Sequence, residues 1–152
     1  MLDWSDRAEM KGDPLPNYVM DSSSLFKAFF IHSDMKLAVL RSSEISELTI
    51  FELGNVLRKK RDENLVNMSE SDLYQVCQRI ESVIAFLAKS PISSNELTSV
   101  FRLSLETGLT FYDASYLHLA RRDERILVTE DNKLSKASTD LGIRTLSIGQ
   151  II

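Results

Sequence analysis

The chain has 152 residues, 43% of them hydrophobic, and a formal net charge of −4 that comes from 22 acidic and 18 basic side chains. This length predicts a single domain, and the sequence has no apolar run of the roughly 18 residues that a bilayer span needs. One cysteine and two histidines exclude an internal disulfide and a zinc site built from Cys and His side chains. The first ten residues are rich in acids, unlike a secretion signal, so we expect a cytoplasmic protein without a membrane segment.

The predicted elements alternate between short apolar segments and segments of helical spacing. Residues 1–17 contain glycine and proline without a clear period, which predicts a tail or arm before a domain of residues 18–152. Within that domain we predict strands over residues 18–20, 45–50, 126–129 and 144–148. Predicted helices cover residues 23–32, 34–40, 51–62, 69–89 and 95–106, followed by one at Asp113 and one that ends at Gly142. This alternation predicts an α/β fold with helices on both faces of a parallel sheet.

Acidic residues occupy four helix starts, each of which we interpret as a junction between a strand and a helix. They are Asp21, Glu52, Asp113 and Asp131. The carboxyl ends of parallel strands share one edge of the sheet, so we expect these side chains to converge there. Clustered carboxylates repel one another unless a cation lies between them, and oxygen ligands select Mg²⁺ or Mn²⁺. Such ions can activate water for cleavage of a phosphodiester.

Each acid also has a simpler interpretation. Asp21, Asp113 and Asp131 are credible helix N-caps, and Glu52 could close a capping box that Thr49 opens. Capping explains any one of them, but Ser, Thr or Asn would cap as well. An acid at all four positions therefore favours a site.

Other polar residues are candidates for supporting roles. Ser23 and Thr129 could hydrogen-bond a ligand or water, although hydroxyls at helix starts are common. The strongest basic patch consists of Arg58, Lys59, Lys60 and Arg61. It could contact nucleic-acid phosphates, or it could be a solvated helix end that the helix dipole favours. Glu130 alternates away from Asp131 and is expected to be exposed, and His118 is not expected to be a ligand.

Four segments, in order, resemble the PIN domain family and most closely its VapC-type toxin ribonucleases. They are residues 19–23, 48–53, 108–117 and 127–134. The resemblance covers about residues 18–148 and implies a three-layer α/β/α sandwich with a central parallel sheet of about five strands. It implies an endoribonuclease that cleaves single-stranded RNA, with Asp21, Glu52 and Asp113 binding Mg²⁺ or Mn²⁺ and Asp131 completing the acidic cluster. It also implies a homodimer and an antitoxin partner.

Two further readings stay open at this point. A PIN-like domain could have lost its activity and serve only as a binding module. A phosphoryl-receiver domain also places acids at strand ends, but it needs two adjacent acids after the first strand and a lysine after the last. Here Met20 precedes Asp21, and no lysine follows the last strand.

The first helices are expected to expose an apolar patch. It would consist of Phe26, Phe29, Phe30 and Leu40, more large side chains than one sheet face needs. We expect a second copy or an antitoxin helix to cover it.

Overall fold

The computed structural model describes residues 17–62 and 68–152, so the predicted tail lies outside the described residues except for Asn17. Five strands are present in these ranges: β1 Tyr18–Met20, β2 Ser43–Ser46, β3 Ala88–Ser90, β4 Ile126–Val128 and β5 Thr145–Leu146. Seven α-helices are described: α1 Ser22–Phe30, α2 Lys36–Arg41, α3 Leu48–Asp62, α4 Glu70–Ile84, α5 Leu97–Thr107, α6 Phe111–Arg122 and α7 Asn132–Asp140. Short 3₁₀ helices cover Ser94–Glu96 and Ile148–Gln150. None of the described helices has both the length and the apolar character that a membrane span requires.

The five strands form one sheet in the order β3-β2-β1-β4-β5, and every neighbouring pair is parallel. The chain builds outward from β1 to β2 and β3 on one side, then crosses to add β4 and β5 on the other. The order therefore reverses at β1, and in open α/β sheets the crevice at such a reversal is where ligands bind. Asp21 directly follows β1 and lies at this crevice.

Helices cover both faces of the sheet, as predicted. Met20 and Val128 belong to one buried cluster, whereas their neighbours Val19 and Leu127 belong to another. Successive strand residues point to opposite faces, so the two clusters are the two faces of the sheet. The first cluster packs against α1 to α4, and the second against α5, α6 and α7. This is the expected three-layer α/β/α sandwich.

The prediction of the second strand was wrong in its position. The strand is Ser43–Ser46, and α3 already begins at Leu48, so the whole run at 48–51 is helical. Ile50 and Phe51 are exposed. The strand itself escaped detection because its buried side chains are mostly polar; the Ser43 hydroxyl, for example, donates to the carbonyl of Val39 at 2.7 Å.

The prediction of one helix over residues 69–89 was also wrong at its end. The predicted cap is confirmed, since Ser69 and Asp72 form a reciprocal capping box at the start of α4. The helix ends at Ile84, however, and Ala88–Ser90 form edge strand β3. Leu87 continues the apolar spacing of the helix, so the sequence pattern alone conceals the break.

The expected apolar patch is smaller than predicted. Leu40 is buried, Phe26 and Phe29 are half-buried against the first core cluster, and Phe30 is 51% exposed. The rings of Phe26 and Phe30 pack against each other with their centroids 5.1 Å apart. Most of these side chains therefore belong to the core.

Candidate active site

Asp21 is the most buried of the four acids, with 5% of its surface exposed. It is the N-cap of α1: Oδ1 accepts from the Ser24 amide at 2.8 Å, and the Ser23 hydroxyl lies 2.8 and 2.9 Å from the two carboxylate oxygens. The Thr129 hydroxyl donates to Oδ2 from the neighbouring strand end. Burial raises the pKa of Asp21, and these hydrogen bonds offset only part of that effect. The predicted capping role is real, yet the charge is held where desolvation disfavours it.

Glu52 lies in the second turn of α3 and is half-buried. The proposed capping box is wrong, because Thr49 and Glu52 both lie within the helix. The Tyr116 hydroxyl donates to Oε2 of Glu52. Burial is the largest cause of the raised pKa of Glu52, and the charges of Asp21 and Asp113 raise it further. Glu52 therefore lies within electrostatic reach of both Asp21 and Asp113.

Asp113 belongs to the first turn of α6 and is half-buried. Thr110 is the N-cap of this helix, and its hydroxyl donates to Asp113 Oδ2 at 2.7 Å while accepting from the Asp113 amide at 3.1 Å. The expectation that Asp113 caps the helix is therefore wrong. Its segment also follows α5 and Gly108 and is not preceded by a strand. Asp113 reaches the sheet edge because α6 begins there.

Asp131 caps α7 and is exposed. Its Oδ1 accepts from the amides of Lys133 and Leu134 at 2.7 and 2.9 Å. Thr129 joins it to the buried acid: the threonine Oγ1 donates to Asp21 and accepts from the Asp131 amide at 3.0 Å. Asp131 thus lies beside the other acids, on the solvent side.

A shallow polar cleft opens next to Asp131, with a volume of about 170 Å³. The ends of β4 and β5 form its floor, and its lining includes Thr129, Asn132, Ser135, Ser147 and Gln150. The cleft offers room and hydrogen-bonding groups beside Asp131, whereas Asp21, Glu52 and Asp113 do not line it.

Both predicted auxiliary residues contact Asp21, as described above. The expectation for Glu130 was wrong, since this side chain is only 22% exposed. It forms an ion pair with Lys27 at 2.5 Å and accepts from the Ile148 amide at 2.8 Å. Ser23 joins the same region, because its hydroxyl accepts from the Glu130 amide at 3.2 Å. Glu130 therefore links α1 to the segment that follows β5.

The donor set suits a hard cation by its chemistry. Asp21, Glu52 and Asp113 offer oxygen ligands; burial is the main cause of the raised pKa of Glu52, and the charges of Asp21 and Asp113, which a cation would neutralise, add to it. In residues 17–62 and 68–152, no group of three His, Cys, Asp or Glu side chains is already arranged to hold a metal ion. The acids are neighbours, and ligation requires their side chains to turn toward a common point.

The basic cluster occupies the far end of α3. At 1.5 Å per residue, Arg58 to Arg61 lie roughly 9 to 14 Å along the helix from Glu52. Lys60 lies over the Phe26 ring at 5.2 Å, and Arg61 is 3.7 Å from Glu70. These contacts place the end of α3 against α1 and the start of α4.

Sequence reasoning missed two residues that bear on the site. Tyr116 follows Asp113 by three positions, and Thr49 precedes Glu52 by three, so helical spacing was the available signal. Thr49 was considered only as the start of a capping box with Glu52, and Tyr116 was not considered for the site. His118 contacts Glu96 at 2.8 Å and has no contact with the acids.

Comparisons with known proteins identify the family. No family model matches the chain. Exonuclease VapC9 from Pyrobaculum aerophilum is 32% identical over 132 residues, which is 86% of this chain and 93% of the relative. The chain belongs to the VapC family. Its VapC-type fold is shared with the crystal structure of PAE2754 from P. aerophilum, at 27% identity and a TM-score of 0.73 over 91% of this chain and 94% of that one.

A more distant structure with a similar fold is a toxin–antitoxin complex from Klebsiella pneumoniae. It has 19% identity and a TM-score of 0.52, covering 76% of this chain and 88% of that one, so it shows the fold alone. Membership of the VapC family removes the basis for the phosphoryl-receiver reading. The PIN-like fold that the sequence predicted is confirmed.

Proposed function

We propose that this chain is a Mg²⁺- or Mn²⁺-dependent endoribonuclease that cleaves single-stranded RNA. The observation that supports the proposal is the grouping of a buried Asp21 with Glu52 and Asp113 at the carboxyl edge of the sheet, in a member of the VapC family. We assign these three acids as metal ligands and Asp131 as a fourth, more peripheral one. A bound divalent cation supplies an activated water and neutralises charge on the phosphodiester.

The chain's own residues have distinct roles in this proposal. Asp21 is held by Ser23 and Thr129, which restrict its rotation. Glu52 and Asp113 come from two helices and would bind from other directions. Asp131, exposed beside the polar cleft, faces the space where a substrate strand would enter. The cluster of Arg58, Lys59, Lys60 and Arg61 is proposed to attract the RNA backbone farther along α3.

The assay uses purified protein with 5′-labelled single-stranded RNA, the DNA of the same sequence and a circular RNA. We expect Mn²⁺-dependent cleavage of the RNA, abolished by EDTA, and cleavage of the circle because an endonuclease needs no end. The relative's name, exonuclease, makes the circle informative. An intact circle beside a shortened linear RNA would replace the endonuclease proposal by an exonuclease.

Asp113→Asn separates metal binding from structure. Thr110 caps α6, and asparagine keeps the shape of the side chain, so folding should be unaffected. We expect cleavage to fall by about 100-fold or more, because a metal ligand contributes several kcal/mol to transition-state stabilisation. Normal cleavage by a folded Asp113→Asn variant would remove Asp113 from the site. RNA binding without any cleavage by the parent would favour a silent binding module.

We further propose that the protein is the toxin of a VapBC-type pair, active as a homodimer in the cytoplasm. The antitoxin part of this proposal is motivated by the Klebsiella structure, which has a similar fold and is described as a toxin–antitoxin complex. A short reading frame for a DNA-binding protein next to the gene would support the pairing. Co-expression should then restore growth that the toxin alone arrests.

A further inference from the structure

Tyr116 is a polar side chain enclosed in the core. Its residue surface is 1% exposed, and its ring packs in the second cluster with Leu117 and Leu119 nearby along α6. A buried tyrosine hydroxyl needs hydrogen-bond partners, because leaving it without any costs free energy. An apolar phenylalanine would fill the same space without that requirement. The hydroxyl is therefore the feature to explain.

That hydroxyl has two partners, both on α3. It donates to Glu52 Oε2, and it lies 2.8 Å from the hydroxyl of the fully buried Thr49. An ionised carboxylate only accepts, and a tyrosine has one proton to give. Once that proton is directed to Glu52, Thr49 must donate to the tyrosine oxygen. The hydrogen bonds thus run in one direction, from Thr49 through Tyr116 to Glu52.

The chain of hydrogen bonds connects the helices that carry the acids. Tyr116 and Asp113 are three residues apart on α6, so both lie toward the same side of that helix. Glu52 also accepts a hydrogen bond from the side chain of Ser22, which follows Asp21. Glu52 is therefore fastened to the two elements that present Asp113 and Asp21. The orientation of Glu52 therefore depends on both of these elements.

We propose that Tyr116, held by Thr49, is a positioning residue that orients the Glu52 carboxylate toward a divalent cation. The inference rests on the proposed function. Residues that hold metal ligands in place typically change metal affinity by about 10- to 100-fold when they are removed. Tyr116 does not touch the cation or the RNA in this role. Its loss should weaken metal binding without changing how RNA binds.

The test compares Tyr116→Phe with Tyr112→Phe, a matched change at an exposed tyrosine of the same helix. Mn²⁺ binding is measured by calorimetry on protein freed of metal, and cleavage is measured across a range of Mn²⁺ and RNA concentrations. We expect Tyr116→Phe to raise the Kd for Mn²⁺ by about 10-fold or more. The kcat should recover at saturating Mn²⁺, and the KM for RNA should not change. Tyr112→Phe should match the parent.

Thr49→Val gives a second route, because valine keeps the shape and leaves the tyrosine ring in place. We expect a weaker effect in the same direction, about 3-fold in Kd, since the Tyr116 hydroxyl then lacks its donor and orients less firmly. If Tyr116→Phe does not fold, Thr49→Val decides the question. Mn²⁺ affinity within twofold of the parent in a folded Tyr116→Phe, or unchanged in Thr49→Val when it decides, overturns the proposal.

The outcome also separates this inference from the proposed function. A parent that binds Mn²⁺ and cleaves RNA, with variants that do so equally well, removes only the positioning role. A parent that binds Mn²⁺ but cleaves no RNA removes the nuclease, and the calorimetry still decides the role of Tyr116. A parent that neither binds Mn²⁺ nor cleaves RNA overturns both.

Discussion

Asp21 is a residue with a conflict between stability and chemistry. Its carboxylate accepts from one amide and two hydroxyls, which is what a good N-cap does. Burial nevertheless raises its pKa above the ordinary value of 3.8. The folded protein therefore binds a proton at Asp21 more tightly than the unfolded chain does. The contribution of Asp21 to stability is full below pH 3.8 and is lost as the pH rises through its raised pKa. Strain of this kind is common where a group is kept for function.

Asp21→Asn should stabilise the protein in EDTA at pH 7.5. Asparagine caps helices as well as aspartate does and has no charge to desolvate. We expect the melting temperature to rise by about 2 to 4 °C, the shift that corresponds to roughly 1 kcal/mol in a chain of this size. The gain should shrink as the pH falls toward 3.8, where the parent carboxyl becomes protonated. A lower melting temperature for the variant at pH 7.5 would contradict the argument.

Asp131 allows capping and charge to be separated at an exposed position. Asp131→Asn should leave the melting temperature unchanged, because the side chain can still accept from the Lys133 and Leu134 amides. Asp131→Ala should destabilise the protein by about 1 kcal/mol through loss of the cap. Both should reduce cleavage equally, and less than Asp113→Asn does, if the charge of Asp131 assists the metal. Thermal melts paired with cleavage rates distinguish the two roles, and full activity in Asp131→Asn would leave only the cap.

At the scale of elements, a buried ionic link joins β2 to the segment between α6 and β4. Glu44 is 5% exposed, and its Oε1 lies 3.2 Å from Arg125 Nε. Burial raises the pKa of Glu44 to about 7, and Asp123 adds to the rise, while Arg125 opposes it. Hydrogen bonds from Arg122 lower the pKa of Asp123. Of these two carboxyl groups, Glu44 is therefore the one that binds a proton first as the pH falls.

The link predicts a pH dependence of stability. Because its pKa is raised, the contribution of Glu44 to the free energy of unfolding is full below pH 4.5 and is lost as the pH rises through about 7. The lowered pKa of Asp123 acts only below its ordinary value of 3.8, outside this window. A side-chain hydrogen bond joins Glu44 to Asp123. Glu44→Gln keeps a donor for Asp123 and cannot ionise. It should therefore be more stable than the parent at pH 8, by on the order of 2 kcal/mol, and gain little at pH 5.

Chemical denaturation at pH 5 and pH 8 measures this difference. Glu47→Gln is the control, because Glu47 is the next acid along the chain and is exposed. It should show the same pH dependence as the parent. If Glu44→Gln loses stability at both values, the ion pair with Arg125 outweighs the cost of burying the charge.

At the scale of the whole molecule, the two core clusters determine which surface can change without unfolding. The first cluster includes Phe29 as a packed neighbour, whereas Phe30 directs half of its surface to solvent. The predicted homodimer therefore can use Phe30, while Phe29 contributes to the core. Substitutions at Phe30 and Phe29 therefore distinguish an interface residue from a core residue.

We predict that light scattering after size exclusion shows a dimer for the parent chain. If the dimer uses the surface around Phe30, Phe30→Ser should yield a folded monomer with a melting temperature close to that of the parent chain. Phe29→Ser should instead destabilise the protein by about 2 to 4 kcal/mol, because a large packed side chain is lost. A dimer that persists in Phe30→Ser would move the interface elsewhere.

Local signals in the sequence predicted much of the fold and the chemical character of the site. The Ser69–Asp72 cap, the left-handed Gly108 at a helix end and the alternation of strands with helices depend on neighbours only a few residues away. The α/β class and the three-layer arrangement follow from that alternation. The four acids were also apparent, because oxygen ligands of one type recurred at helix starts. These features are local, so a single sequence carries them.

Only the tertiary structure decided which groups meet. Strands β2 and β3 are short and contain polar residues, so no hydrophobic periodicity marked them. The hydrogen bond from Tyr116 to Glu52 spans 64 residues, and the one from Thr129 to Asp21 spans 108. The half-buried state of Glu130 likewise depends on Lys27 and Ile148. Burial and long-range hydrogen bonds arise when the helices pack on the sheet, and local sequence spacing contains no record of them.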